Sequence, residues 1–226
     1  MSDLIFKITY MIITFATQKG GTGKTTLAIA FANYISAISE TKINVFDFDY
    51  QKSFYHKWKE DELSEVPKLY DVEIIGEEEK QPFSDLETLI ELKESKDVNL
   101  FDLAGTLDAK YCDLLTYSDF IVIPFEYSDV SAKSTLVFVN FLGLLESQAE
   151  RIFIRSKYDK GYKYLNQAGM DMEITKYGML IKSPVFKRNC LQNIDTRKLT
   201  YEQKYAVKNS FNELLQYINE TLQISL

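Results

Sequence analysis

The chain has 226 residues, 46% hydrophobic and 26% charged with a net charge of −7, the profile of one large globular domain or at most a small pair. Nine glycines and four prolines exclude collagen-like and Pro/Gly-rich disordered chains, and no apolar run approaches the ~18 residues of a spanning helix. One histidine (His56) and two cysteines (Cys112, Cys190) leave little for a histidine-built metal centre, a Ser–His–Asp triad, a disulfide scaffold or a closed zinc site.

Residues 1–10 lack the basic start and small-residue cleavage site of a signal peptide, so a cytoplasmic chain is expected, with this stretch an extension ahead of the first strand. Met11 is an alternative start. The first strand-like run is 12–16, followed by a glycine-rich segment and a helix-length segment over 25–39. A second run, 43–46, precedes Asp47-Phe48-Asp49 and a helix over 52–63. The third run, 72–75, leads through an acidic turn at 77–79 to a helix over 84–95. The fourth, 98–101, ends at Asp102 before a helix over 109–117. Runs at 120–123 and 151–154 flank a helix over 130–147. Several runs are almost continuously apolar, as strands covered on both faces must be. The alternation predicts an α/β fold with a mostly parallel sheet flanked by helices. The last helix, 200–222, carries Val207, Phe211, Leu214, Leu215, Ile218 and Leu222 on one face and is expected to dock on the core.

Residues 17–26 read TQKGGTGKTT, between a predicted strand and a predicted helix. Glycines at 20, 21 and 23 let the backbone curl so that successive N–H groups form an anion nest at a helix N-terminus. In this phosphate loop Lys24 would reach the β- and γ-phosphates and the Thr25 hydroxyl would ligate Mg²⁺. The usual pattern wants glycine at position 18, where Gln18 stands; the loop instead carries an extra lysine, Lys19. Asp47 and Asp49 end the second strand at the sheet's carboxyl edge, where ligands of open α/β folds bind. Asp102 ends the fourth strand and suits the Mg²⁺ shell, and Gly105 can bring an N–H to the γ-phosphate.

The stretch Lys19, Gly20, Gly21, Thr22, Gly23, Lys24, Thr25, Thr26 resembles the deviant Walker A loop of the ParA/MinD ATPases. FDFDYQ (46–51) is similar to that family's D-x-D-P-Q segment, with Tyr50 in place of proline, and FDLAG (101–105) to its Walker B strand. The resemblance spans most of 11–145, fades over the rest, and lies nearest the short ParA-like partition proteins, including the TraA-type members of conjugative elements. It implies a single P-loop ATPase domain, with 151–226 a divergent basic part and C-terminal helix. It also implies ATP and Mg²⁺ as ligands, slow partner-stimulated hydrolysis, and a homodimer sandwiching two nucleotides. Lys19 would then contact the partner subunit's ATP and Lys24 its own. Asp49 would position the attacking water and stand with Thr25 and Asp102 near the metal, and Asp47 would support that shell. The implied partners are nonspecific DNA and a ParB-like protein, in a nucleoid-associated setting without a membrane.

Charge distribution supports a polyanion face independently: residues 151–198 hold 11 Lys and Arg against 4 Asp and Glu, net +7 in an otherwise acidic chain. Candidate phosphate contacts are Arg155, Lys157, Lys182, Lys187, Arg188, Arg197 and Lys198. The adenine site is expected around 156–159 and 184–186. No room precedes the first strand for an operator-reading domain, so sequence-specific repression is not expected. A MinD-like membrane cycle wants a basic terminal helix, but 217–226 holds no Lys or Arg. A cluster-bearing reductase lacks its flanked cysteine, and a tyrosine kinase its tyrosine-rich tail. A dethiobiotin-synthetase-like ligase, sharing the loop but adding a substrate pocket, is the alternative from another class.

Overall fold

The apolar runs become a sheet buried on both faces. In the computed structural model, which describes residues 11–75 and 86–224, the strands are β1 (Met11–Phe15), β2 (Ile43–Phe48), β3 (Asp71–Ile74), β4 (Val98–Leu103), β5 (Phe120–Phe125), β6 (Glu150–Arg155) and β7 (Met179–Leu180). The expected extension over 1–10, the acidic turn at 77–79 and the first residues of the helix expected over 84–95 lie outside the described residues. The strands run in the order β3-β2-β4-β1-β5-β6-β7, and every neighbouring pair is parallel. The helices are α1 (Lys24–Ile38), α2 (Ser53–Glu60), α3 (Leu86–Glu94), α4 (Cys112–Tyr117), α5 (Asp129–Leu144), α6 (Gln167–Ile174), α7 (Asn189–Gln192) and α8 (Tyr201–Ile224). The predicted α/β class is thus the observed one.

Side-chain alternation along each strand divides the interior in two. Met11, Ile13 and Phe15 of β1 face a core shared with α1, α2, α7 and α8, while Ile12 faces a second core shared with α3, α4, α5 and α6. The predicted face of the last helix is where α8 meets the first core: Val207, Phe211, Leu214, Leu215 and Ile218 are fully buried. The Phe211 ring lies 5.2 Å from Phe31 and 5.6 Å from Tyr34, and the Tyr34 hydroxyl donates to Asn212 at 2.6 Å.

Two predicted helices are shortened by tight turns. The segment over 52–63 divides into α2 and a 3₁₀ turn, Asp61–Leu63, and that over 109–117 into a 3₁₀ turn, Ala109–Tyr111, and α4. β7, α6 and α7 were not foreseen, because two- to eight-residue elements in a basic stretch carry no usable periodicity. The topology matters for function. β1 lies between β4 and β5, so the chain leaves it toward β2 on one side and later toward β6 on the other. That reversal opens a crevice beyond the carboxyl ends of β1 and β4.

Removing the Phe211 ring should cost about 3–5 kcal/mol of stability without unfolding the sheet order. Denaturant titration of Phe211→Ala measures it.

Candidate functional site

The crevice is built around the chain's exit from β1. Gly21 and Gly23 have φ of 81° and 82°, a left-handed backbone that side-chain-bearing residues resist. Gly23 caps α1 with no side-chain hydrogen bond, and the first turn of α1 carries no acidic residue. The opening N–H groups of α1 and its positive dipole end are therefore left for an external anion. Gly105, after β4, packs directly on this loop: a Cβ there would stand 2.7 Å from Gly20 N and 2.9 Å from the Lys19 carbonyl carbon.

Lys24 turns inward and is 7% exposed. Its ammonium lies 2.6 Å from Asp102 Oδ1, 3.5 Å from Thr25 Oγ1 and 4.0 Å from Asp49 Oδ2. Asp102 is fully buried; burial pushes its carboxyl above the usual range, against the pull of Lys24. Its second oxygen, Oδ2, has no hydrogen-bond partner among the described residues. An orphaned carboxylate oxygen near the Thr25 hydroxyl fits a hydrated Mg²⁺, which takes one or two protein ligands and fills the rest with water and phosphate. No group of three His, Cys, Asp or Glu able to hold a metal occurs among the described residues.

Asp49 lines a cavity of about 870 Å³ together with Lys19, Gly20 to Thr26 and Gly105. Lys19 makes no ion pair among the described residues, although its backbone N–H bonds Thr17 Oγ1 at 3.3 Å. Asp47, expected to support the metal shell, is engaged by the backbone. It is fully buried and both its oxygens are occupied, Oδ1 by Asp49 N–H at 3.0 Å and Oδ2 by Tyr55 N–H at 2.9 Å. It shapes the Asp49 turn and caps the start of α2.

Tyr50, where the resembling segment has proline, is locked differently. Its hydroxyl donates to Asp108 at 2.5 Å, and the Lys110 ammonium sits 3.5 Å from its ring centroid, with Phe48 and Tyr111 rings at 4.7 and 4.9 Å. This box joins the loop after β2 to the loop after β4. Burial holds the Lys110 ammonium below the usual lysine range.

A second cavity of about 500 Å³ adjoins the loop through Gly23, Thr26 and Leu27. Ser156, Lys157, Asp159, Val185 and Phe186 line it, drawn from the two segments expected around the adenine. Glu126, Tyr162, Tyr164, Leu191 and Gln192 also line it, and no motif marks them in the sequence.

The basic candidates differ in burial and surroundings. Lys157, Lys187 and Arg188 rim this second cavity. Arg155 is half-buried, donating to the Lys182 carbonyl at 3.2 Å and lying 3.7 Å from Asp171. Lys182 and Lys198 are exposed. Arg197 is corrected outright: it is 5% exposed, its Nε donates to the Asp61 carbonyl at 3.1 Å, and its guanidinium stacks 5.7 Å from Trp58. At 5% exposure it presents little surface to a DNA phosphate.

The family model described as the CobQ/CobB/MinD/ParA nucleotide binding domain matches residues 13–222. No curated protein matches the sequence significantly. Among solved structures, a plasmid partition protein from Borrelia burgdorferi bound to AMPPNP is 20% identical with a TM-score of 0.69, covering 92% of this chain and 99% of that one. pNOB8 ParA bound to nonspecific DNA is 14% identical with a TM-score of 0.64, covering 96% and 99%. MinD from Aquifex aeolicus is 15% identical with a TM-score of 0.61, covering 91% and 97%. At these identities the likeness is one of fold.

Two outcomes follow from the geometry. Gly105→Ala should displace the phosphate loop, since backbone atoms cannot yield, and lose about 1–3 kcal/mol of stability in a thermal melt. Asp47 is pushed from 3.8 to about 6, chiefly by burial. The folded form thus binds the proton more tightly than the unfolded one, a contribution complete below pH ~4 and lost as pH rises through ~6. The stability difference between wild type and Asp47→Ala, from denaturant titrations, should shrink by on the order of 3 kcal/mol between pH 4 and 7.

Proposed function

The chain belongs to the CobQ/CobB/MinD/ParA nucleotide-binding family, P-loop NTPases whose members typically hydrolyse ATP, and from that premise we propose a ParA-like partition or transfer ATPase. It binds Mg-ATP, closes into a nucleotide-sandwich homodimer and coats nonspecific DNA until a ParB-like partner stimulates hydrolysis. The observation that carries this reading is the phosphate loop itself: two left-handed glycines, an uncapped α1 N-terminus and Lys24 braced by Asp102.

The residues divide the chemistry among them. Backbone N–H groups of the loop and of α1 receive the phosphates. Lys24 moves its charge onto the β- and γ-phosphates as the anion competes with Asp102 for the ammonium. Thr25 Oγ1 and Asp102 Oδ2 would hold Mg²⁺, which offsets phosphate charge when bound. Asp49, whose turn Asp47 shapes, orients the attacking water and accepts its proton. Lys19, free of carboxylate partners among the described residues, crosses to the second subunit's nucleotide and offsets transition-state charge in trans. The base enters the second cavity. Its Tyr162, Tyr164 and Phe186 rings offer stacking surface there, and Asp159 and Glu126 offer acceptors for an exocyclic amine.

Exposed Lys182, Lys187, Arg188 and Lys198 remain the candidates for DNA phosphates. The apolar face of α8 is spent on the core, which favours a DNA-cycling over a membrane-lying ATPase. No helix among the described residues is long and apolar enough to cross a membrane.

Lys24→Ala should abolish uptake of a fluorescent ATP analogue in magnesium. Lys19→Ala should keep that uptake but lose ATP-dependent dimerisation in light scattering. Wild-type protein with ATP should bind random-sequence DNA with a log–log salt slope of roughly −4 if about four phosphates are neutralised. Wild-type protein that takes up no nucleotide would refute the reading.

A further inference from the structure

Lys157, expected at a DNA phosphate, is tied into the nucleotide cleft. It follows β6 and lines both cavities, so it stands at the wall between the phosphate side and the base side. Its ammonium donates to the Gly21 carbonyl of the phosphate loop and lies 3.5 Å from a Glu126 carboxylate oxygen. Its backbone is left-handed, with φ of 52°, a conformation that a lysine adopts only where its surroundings impose it. Gly23 makes room for the approach: a Cβ there would meet Ser156 Oγ at 3.1 Å and Lys157 Cε at 3.5 Å.

The bond to Gly21 has a directional consequence. The C=O and N–H of a trans peptide point opposite ways, so anchoring the Gly21 carbonyl also sets the direction of the Thr22 N–H. Gly21 is left-handed, with φ of 81°, and glycine loses the most freedom on ordering, so an anchor on its carbonyl lowers that cost. A charged donor makes the anchor strong, and the Glu126 carboxylate holds the same ammonium.

We propose that Lys157 is a positioning residue of the nucleotide site. It clamps the Gly21–Thr22 peptide in its anion-binding orientation before the nucleotide arrives, and it adds its ammonium to those of Lys19, Lys24 and Lys57 on the wall of the phosphate cavity. The role is specific to the polyphosphate, not to DNA, and it rests on the nucleotide-binding reading above. Pre-ordering of this kind raises affinity by lowering the ordering cost at binding.

The test is equilibrium binding of a fluorescent, non-hydrolysable ATP analogue with magnesium to the full chain and three variants. Lys157→Met keeps the stem and removes the charge; its Kd should rise about tenfold. Lys157→Arg restores a cation and should bind within about threefold of wild type. Lys157→Gly relieves the left-handed backbone, so it should melt at or above the wild-type temperature yet bind as weakly as Lys157→Met, separating the clamp from folding. At saturating ATP the DNA salt slope of Lys157→Met should equal the wild type's. Unchanged nucleotide affinity in Lys157→Met overturns the clamp, and a salt slope shallower by about one with that affinity intact would return Lys157 to the DNA face. If wild-type protein binds no nucleotide, the underlying reading falls and the clamp with it; if wild type binds and Lys24→Ala does not, the variants judge the clamp alone.

Discussion

The structure turns on one buried ion pair, Lys24 Nζ to Asp102 Oδ1 at 2.6 Å. Neither charge is tolerable alone in so dry a place, since an unpaired buried ion costs several kcal/mol. The pair therefore demands that the helix after β1 begin beside the end of β4, which the β4-β1 adjacency of the sheet provides. It also leaves the site charged but compensated. Asp102 holds Lys24 in the crevice through one oxygen and keeps a second oxygen without a partner among the described residues. A site that stores its cation against a carboxylate can deliver that cation to an anion by exchange, with little rearrangement of the backbone.

Around this pair, three loops are packed at the carboxyl edge of the sheet. The loop after β4 presses Gly105 against Gly20, closer than any side chain would allow. The loop after β2 is held to it by the Tyr50–Asp108 hydrogen bond and by Lys110 among three aromatic rings. The segment after β6 reaches the phosphate loop through Lys157. Asp47, buried beneath, gives both oxygens to backbone N–H groups and holds the Asp49 turn in place. Tyr50 illustrates how a substitution within a motif is absorbed. Proline stiffens a turn through its ring, whereas tyrosine here does so through a hydroxyl and a cation partner on a neighbouring loop.

What the sequence determined by itself was local. The glycines at 20, 21 and 23, the following lysine and hydroxyls, and the strand before them lie within fifteen consecutive residues, and a phosphate loop needs only that order. The apolar runs and the stripe from Val207 to Ile218 were legible for the same reason, because periodicity is a property of neighbours in the chain. What only the tertiary structure decided was which polar groups meet across long separations. Asp47 and Asp49 look alike in the sequence, but one is consumed by backbone N–H groups and the other faces the cavity. Arg197 and Lys198 are adjacent, yet one is sealed against Trp58 and Asp61 and the other is exposed. Lys157 and Gly21 are 136 residues apart, and no spacing rule connects them. Such partnerships depend on how the sheet orders its strands, and that order is set by the burial of both its faces as a whole, not by any one segment.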